Sequence, residues 1–266
     1  MRALLVVRRT TVGIWNTMTA TDFNQVVIFS FPRAGTKLIS KIFGQFGYHE
    51  HGEWFDTYST AIDTDHSAKR IVSAKQTHMQ QFCRTQPDAA RYYHLNATLE
   101  RFDQFPCQEQ KSVLTLWPEN LESCAFILHR LAGALWVLPQ RDPYTQLVSF
   151  MVAHNNQNFN VAGINQPVTI EKWLFRLCYW KLKRTQRTQA WIAQHFDCVT
   201  VPFDLLISGD FTGFGKPYTV TSADENTDLY SLVQNPDEAR AWFDEFENDF
   251  ECNNQFIESR PFEHGE

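Results

Sequence analysis

Arg33, Thr36 and Lys37 stand close together in the stretch "VVIFSFPRAGTKLISKIF", Val26 to Phe43. There a run of β-branched and aromatic residues meets Pro32, passes one glycine and becomes an apolar pattern of helical period. Two cations and a hydroxyl at a strand-to-helix corner are chemistry for an anion. Backbone N–H groups collect at a helix start, and the positive end of the helix dipole lies there. The amides from Ala34 to Leu38 would face such a ligand. Arg33 can grip a phosphate bidentately, Lys37 supplies a point charge and Thr36 a hydroxyl. The plainer alternative is an ordinary β–α turn with solvated basic residues. A Walker loop, G-x-x-x-x-G-K-[ST], is not present, because Gly35 is the one glycine of this corner.

A second constellation lies in "WVLPQRDPYTQLVSFMV". A strand ends at Arg141-Asp142-Pro143, and Ser149 follows Arg141 by eight residues, about two helical turns on. Arg141 is suited to a phosphate, and Ser149 adds a neutral donor. The alternative for Arg141 is an ion pair with Asp142 at the helix start. Two further residues can take a proton: Glu53 in "HGEWFD" and His78 in "SAKQTHM". "HEHGE" also offers His49, His51 and Glu53 as metal ligands, but no distant ligand is marked, and the expectation is no metal.

These residues must be carried by elements that the pattern also announces. A buried strand is expected over Gln25–Phe31. A helix is expected over Gly35–Phe46, with Leu38, Ile39, Ile42, Phe43 and Phe46 on one face and Gly47 as its stop. "HEHGEWFD" reads as a loop. "SVLTLW" (Ser112–Trp117), "ALWVLPQR" and "CVTVPFDLL" read as short buried strands. "ENLESCAFILHRLAG", "PYTQLVSFMVAHN", the long "TIEKWLFRLCYWKLKRTQRTQAWIAQHF" and the acidic "NPDEARAWFDEFEND" read as helices. Continuous apolar strands alternating with helices predict an α/β protein with a parallel sheet covered on both faces. Ligands of such sheets bind beyond the carboxyl ends of the strands, where both corners fall.

The chain has 266 residues, 43% apolar and 14% aromatic, which suffices for a sizeable core. Residues 1–24 read as an N-terminal extension before a single domain over 25–266. The net charge of −6 argues against a nucleic-acid partner, which would favour basic excess. The six cysteines, at 83, 107, 124, 178, 198 and 252, show no C-x-x-C spacing, so reduced and mostly buried thiols are expected. No apolar run approaches the length of a membrane span, and a soluble cytoplasmic protein is the expectation.

The pair "P-[KR]-x-G-T" after the first strand and "R-D-P-x-x-x-x-x-S" later resembles the sulfotransferase superfamily. The resemblance implies a P-loop NTPase-like three-layer architecture and the sulfuryl donor 3′-phosphoadenosine 5′-phosphosulfate (PAPS), with no metal. It implies that Arg33, Ala34, Gly35, Thr36 and Lys37 hold the 5′-phosphosulfate, and that Arg141 and Ser149 hold the 3′-phosphate. The family loop usually reads P-[KR]-S-G-[ST]-[ST]; here Ala34 replaces a serine and Lys37 a hydroxyl residue. Gly52-Glu53-Trp54-Phe55 after the first helix is similar to bacterial carbohydrate sulfotransferases of the trehalose type, which implies that Glu53 is the base. Lys75-Gln76-Thr77-His78 loosely resembles the "K-T-H" element of cytosolic members and offers His78 instead. Phe203-Asp204 stands where that family carries its late "Y-E-D-L". The "R-K-G-x-x-G" loop of cytosolic members is absent, as in the trehalose-type branch.

The expected activity is sulfuryl transfer from PAPS to a hydroxyl of a small-molecule or glycan acceptor, with Arg33 neutralising charge on the leaving phosphate. Two other readings stay open. One is a P-loop nucleotide or small-molecule kinase, which would need a Walker lysine and magnesium ligands. The other is a non-catalytic nucleotide-binding protein of the same fold.

Overall fold

A computed structural model describes residues 22–52, 111–118, 126–156, 166–208 and 229–258. They fall into two compact units, one within Met1–Gln140 and Thr185–Val220, the other within Arg141–Arg184 and Thr221–Glu266.

The first unit is built on five strands, β1 (Gln25–Phe29), β2 (His49–Gly52), β3 (Ser112–Leu116), β4 (Leu135–Gln140) and β5 (Cys198–Pro202), in the order β2-β3-β1-β4-β5. Every pairing is parallel. Successive side chains on a strand point to opposite faces, and here both faces are apolar. Val26, Ile28, Val113, Leu135, Val137, Val199 and Val201 pack on one side with Ile39, Ile42 and Phe43 of α1 (Thr36–Gln45). Val27, Phe29, Leu114, Leu116, Trp136 and Leu138 pack on the other. Ile127 of α2 (Phe126–Arg130) and Ile192 of the long helix Lys172–His195 cover them. This is an α/β unit of three layers, as the alternation of strands and helices predicts.

The end of α1 is legible residue by residue. Gly47 sits at φ +86, and its N–H bonds Gly44 O at 3.0 Å while Tyr48 N bonds Phe43 O at 3.1 Å. That is a Schellman stop, and its apolar contact is the edge-on packing of Phe43 and Tyr48, 5.2 Å between centroids. The chain then enters β2, where the sequence suggested only a loop. "HEHG" has no apolar alternation because β2 is a short, largely exposed edge strand with a register shift between Glu50 and Gly52. Ser40 Oγ of α1 donates to Glu50 Oε2 at 3.1 Å, so the strand is tied down by a polar contact instead of a hydrophobic one.

Two smaller differences concern strand ends. β1 stops at Phe29, and Ser30 turns its hydroxyl to Phe31 O at 2.8 Å. "CVTVPFDLL" is a strand only to Pro202. Phe203–Ser208 is a helical turn and a half, α5, since proline ends the ladder and its fixed φ suits a helix start. Cys198 is a buried thiol.

The second unit holds α3 (Pro143–Asn155), most of α4 (Lys172–His195), a short 3-10 turn over Leu229–Leu232 and α6 (Pro236–Glu258). Tyr179 of α4 packs against Phe243, Phe246 and Phe250 of α6, with centroids 5.6 to 6.3 Å apart. Lys172–Glu245 at 2.7 Å and Lys183–Glu247 at 2.6 Å flank that aromatic seam. Asn235, just ahead of α6, accepts from Ile170 N at 2.9 Å and donates back to Ile170 O at 3.0 Å. Cys178 is a buried thiol here. No helix among the described residues is long and apolar enough to cross a membrane.

Tyr48 links the stop of α1 to the start of β1, because its hydroxyl donates to Phe23 O at 2.6 Å. Burial, and then the Asp22 charge, push the phenol up to about 12. The unfolded chain releases that proton near 10 while the folded chain retains it, so folding stability falls as pH rises above that value. Tyr48→Phe is expected to cost about 1 kcal/mol at neutral pH in urea unfolding and to show a shallower alkaline loss than the wild type.

Candidate functional site

The corner between β1 and α1 brings Arg33, Ala34, Gly35, Thr36 and Lys37 into one turn. Two of them are left-handed: Arg33 at φ 71 and Gly35 at φ 84. Arg33 is the single non-glycine residue with positive φ among the described residues. A bulky side chain held there stores strain, and such outliers gather where a chain binds something. With Ala34 at negative φ between them, the turn alternates in hand, the kind of backbone that curls its amides around an anion.

Gly35 is the N-cap of α1, so no side chain caps this helix, and no acidic residue lies in its first turn. The first intrahelical bond is Ile39 N to Gly35 O at 3.1 Å, and α1 itself supplies no acceptor for the amides of Thr36, Lys37 and Leu38. Around them, Ala34 and Thr36 are buried, Arg33 is half-buried and Lys37 is exposed. A basic, acid-free helix start is electrostatically matched to phosphate or sulfate.

Glycine is required at position 35 for two reasons. Its φ is unfavourable for any L side chain. A Cβ would also meet Leu206 Cδ1 at 2.8 Å and Phe203 Cε2 at 3.2 Å. The corner is therefore propped from below by α5, which the sequence did not announce.

The second motif opens differently. Asp142 caps α3: its Oδ1 accepts from Thr145 N at 2.8 Å and from Thr145 Oγ1 at 2.6 Å, with Pro143 in the first helical position. The carboxylate already occupies that helix start, so its amides are not the anion site of this motif. Arg141 is half-buried at the end of β4, and Ser149 is buried on α3. β1 and β4 are parallel neighbours, so the chain leaves both at the same edge of the sheet. Glu53 and His78, the two candidate bases, lie outside the described residues.

His49 and His51 project from the same face of β2, with ring centroids 4.6 Å apart. Burial, and then the neighbouring His49, hold His51 below the ordinary histidine value of 6.5. Among the described residues, no group of three or more His, Cys, Asp or Glu is placed to hold a metal ion.

Sequence reasoning missed one polar contact at this edge. Gln189 of α4 donates from Nε2 to Phe29 O at 2.9 Å and to Pro139 O at 3.3 Å. Its partners lie 160 and 50 residues away in the chain, and no local pattern marks it. Neither a protein-family model nor a curated protein matches the chain.

Gly35→Ala combines left-handed strain with overpacking and is expected to lower unfolding free energy by about 2–4 kcal/mol in urea titration. For His51 the sign runs the other way from Tyr48. The unfolded chain takes up a proton near pH 6.5, while the folded chain resists it to lower pH. Stability therefore declines as pH falls below about 6.5, and His51→Gln should flatten that decline when urea midpoints are compared from about pH 8 to pH 5.

Proposed function

We propose that this chain is a PAPS-dependent sulfotransferase acting on a hydroxyl, of a carbohydrate acceptor, through a P-loop type of α/β fold. The observation that carries the reading is the start of α1: an uncapped, acid-free helix end preceded by left-handed Arg33 and Gly35. It suits a phosphosulfate better than a cation or an apolar ligand. The parallel sheet supports it too, because β1 and β4 run the same way and the chain leaves both strands at one edge of the sheet.

The chemistry assigned to each residue comes from its type. The acceptor oxygen attacks sulfur while the bond from sulfur to the 5′-phosphate oxygen breaks, and 3′-phosphoadenosine 5′-phosphate leaves. Negative charge grows on that phosphate. Arg33, Lys37 and the α1 amides oppose it, a contribution of the preorganised electrostatic kind. Glu53 takes the acceptor proton, with His78 as the other candidate base. Arg141 and Ser149 bind the 3′-phosphate, which selects this nucleotide over its unphosphorylated relatives.

Calorimetry distinguishes the readings. Binding of 3′-phosphoadenosine 5′-phosphate without magnesium is expected; binding of ATP that requires magnesium would favour a kinase instead, and no nucleotide binding would end both. Arg141→Ala is expected to weaken the nucleotide at least tenfold, about 1.4 kcal/mol or more. With labelled PAPS across a panel of acceptor sugars, Glu53→Gln should reduce turnover by a factor on the order of 10²–10⁴ with nucleotide affinity unchanged. Undiminished turnover in that variant, with turnover lost in His78→Ala, would move the base to His78.

A further inference from the structure

The ladder between β1 and β4 ends early. Its register pairs run Val26–Leu135, Val27–Trp136 and Ile28–Val137. β4 continues beside β5 to Gln140, through Pro139 opposite Val201. The cause is a residue type: Pro139 has no N–H to give, and a proline inside a sheet is tolerated where no neighbour needs one. β1 and β4 therefore part at their carboxyl ends, just before the turn that leads into Arg33.

Gln189 fills that fork. It reaches from the helix covering the Phe29 and Trp136 face, and its amide nitrogen donates to Phe29 O and Pro139 O, one from each strand. An amide nitrogen has two hydrogens, and here each has a main-chain oxygen in reach. Without it, two carbonyl dipoles would face each other across a gap with no strand bond to hold it. The next residues after Phe29 are Ser30, Phe31 and Pro32, and Pro32 is stiff. A change in the direction of Phe29 is thus passed directly to the left-handed Arg33.

We propose that Gln189 is a positioning residue: by clamping the ends of β1 and β4 it fixes where the chain leaves the sheet, and so aims the Arg33–Lys37 turn at its anion. The inference rests on the reading of that turn as a nucleotide phosphate site, and it is not a claim that Gln189 touches the ligand. Gln189→Met keeps the side chain's length and removes the donor.

The test titrates wild type, Gln189→Met and Ile192→Val with 3′-phosphoadenosine 5′-phosphate and, separately, with inorganic pyrophosphate. Thermal midpoints are measured on the same samples. Ile192→Val truncates a fully buried residue three positions along the same helix and loosens packing on the same face, Phe29 included, while leaving both hydrogen bonds of Gln189 in place. Gln189→Met is expected to bind both anions about tenfold more weakly, the loss expected for one hydrogen-bonded link, whereas Ile192→Val, though destabilised, binds as the wild type does. Gln189→Leu, without the donor and without added charge, should behave like Gln189→Met and serves if the latter does not fold. Binding by the Gln189 variants within about twofold of wild type overturns the proposal, as does an equal loss in Ile192→Val. A wild type that binds pyrophosphate but not the nucleotide overturns the nucleotide reading alone, and the pyrophosphate series then decides the role of Gln189. A wild type that binds neither overturns both.

Discussion

The five strands run parallel, and both faces of the central strands β3, β1 and β4 are covered by apolar side chains, so these strands can present polar chemistry only where they end. Within the sheet the backbone groups are committed to neighbouring strands and lie under aliphatic residues. At the carboxyl edge the chain must leave the sheet, turn and start a helix, and the turn frees amides that no strand can use. The composition of the core thus decides where a ligand can be met before any residue of the site is considered.

Two helix starts come after the neighbouring strands β1 and β4, and they differ in how they are capped. α3 is capped by its own acid, with Asp142 accepting from both the amide and the hydroxyl of Thr145. α1 begins on a glycine with no side-chain cap and no acid, behind an arginine held in a strained left-handed conformation. A protein selected only for stability would cap both, although a glycine cap gives up only about a few tenths of a kcal/mol. The uncapped start is the one beside the basic residues. Strain and a missing cap in one turn are coherent if an incoming anion satisfies both.

That turn is held by long-range contacts on two sides. Leu206 and Phe203 of α5 leave no space at Gly35 for a Cβ. Gln189 bonds the strand end from which the turn departs. Neither support is adjacent in sequence to the part it supports, and both come from the stretch of chain after Thr185 that returns to the sheet unit.

Much was legible from local pattern. The strand-to-helix switch around Pro32, the Schellman stop at Gly47 and the proline-led α3 are decided by residues within a few positions of one another, so their spacing announced them. β2 was not legible. Its residues are polar on both faces, and its strand character comes from pairing with β3, some sixty positions on. α5 was hidden because the 6 residues after Pro202 carry too little periodicity to show. The sequence by itself determined that the strands are buried, that helices cover them, and which basic residues stand at the first corner, because apolar periodicity and turn chemistry are local. Only the tertiary structure decided that Arg33 is left-handed, that Gly35 has no room to be anything else and that Gln189 closes the fork. Those outcomes depend on atoms that meet only after distant stretches have folded together, and no window of neighbouring residues contains them.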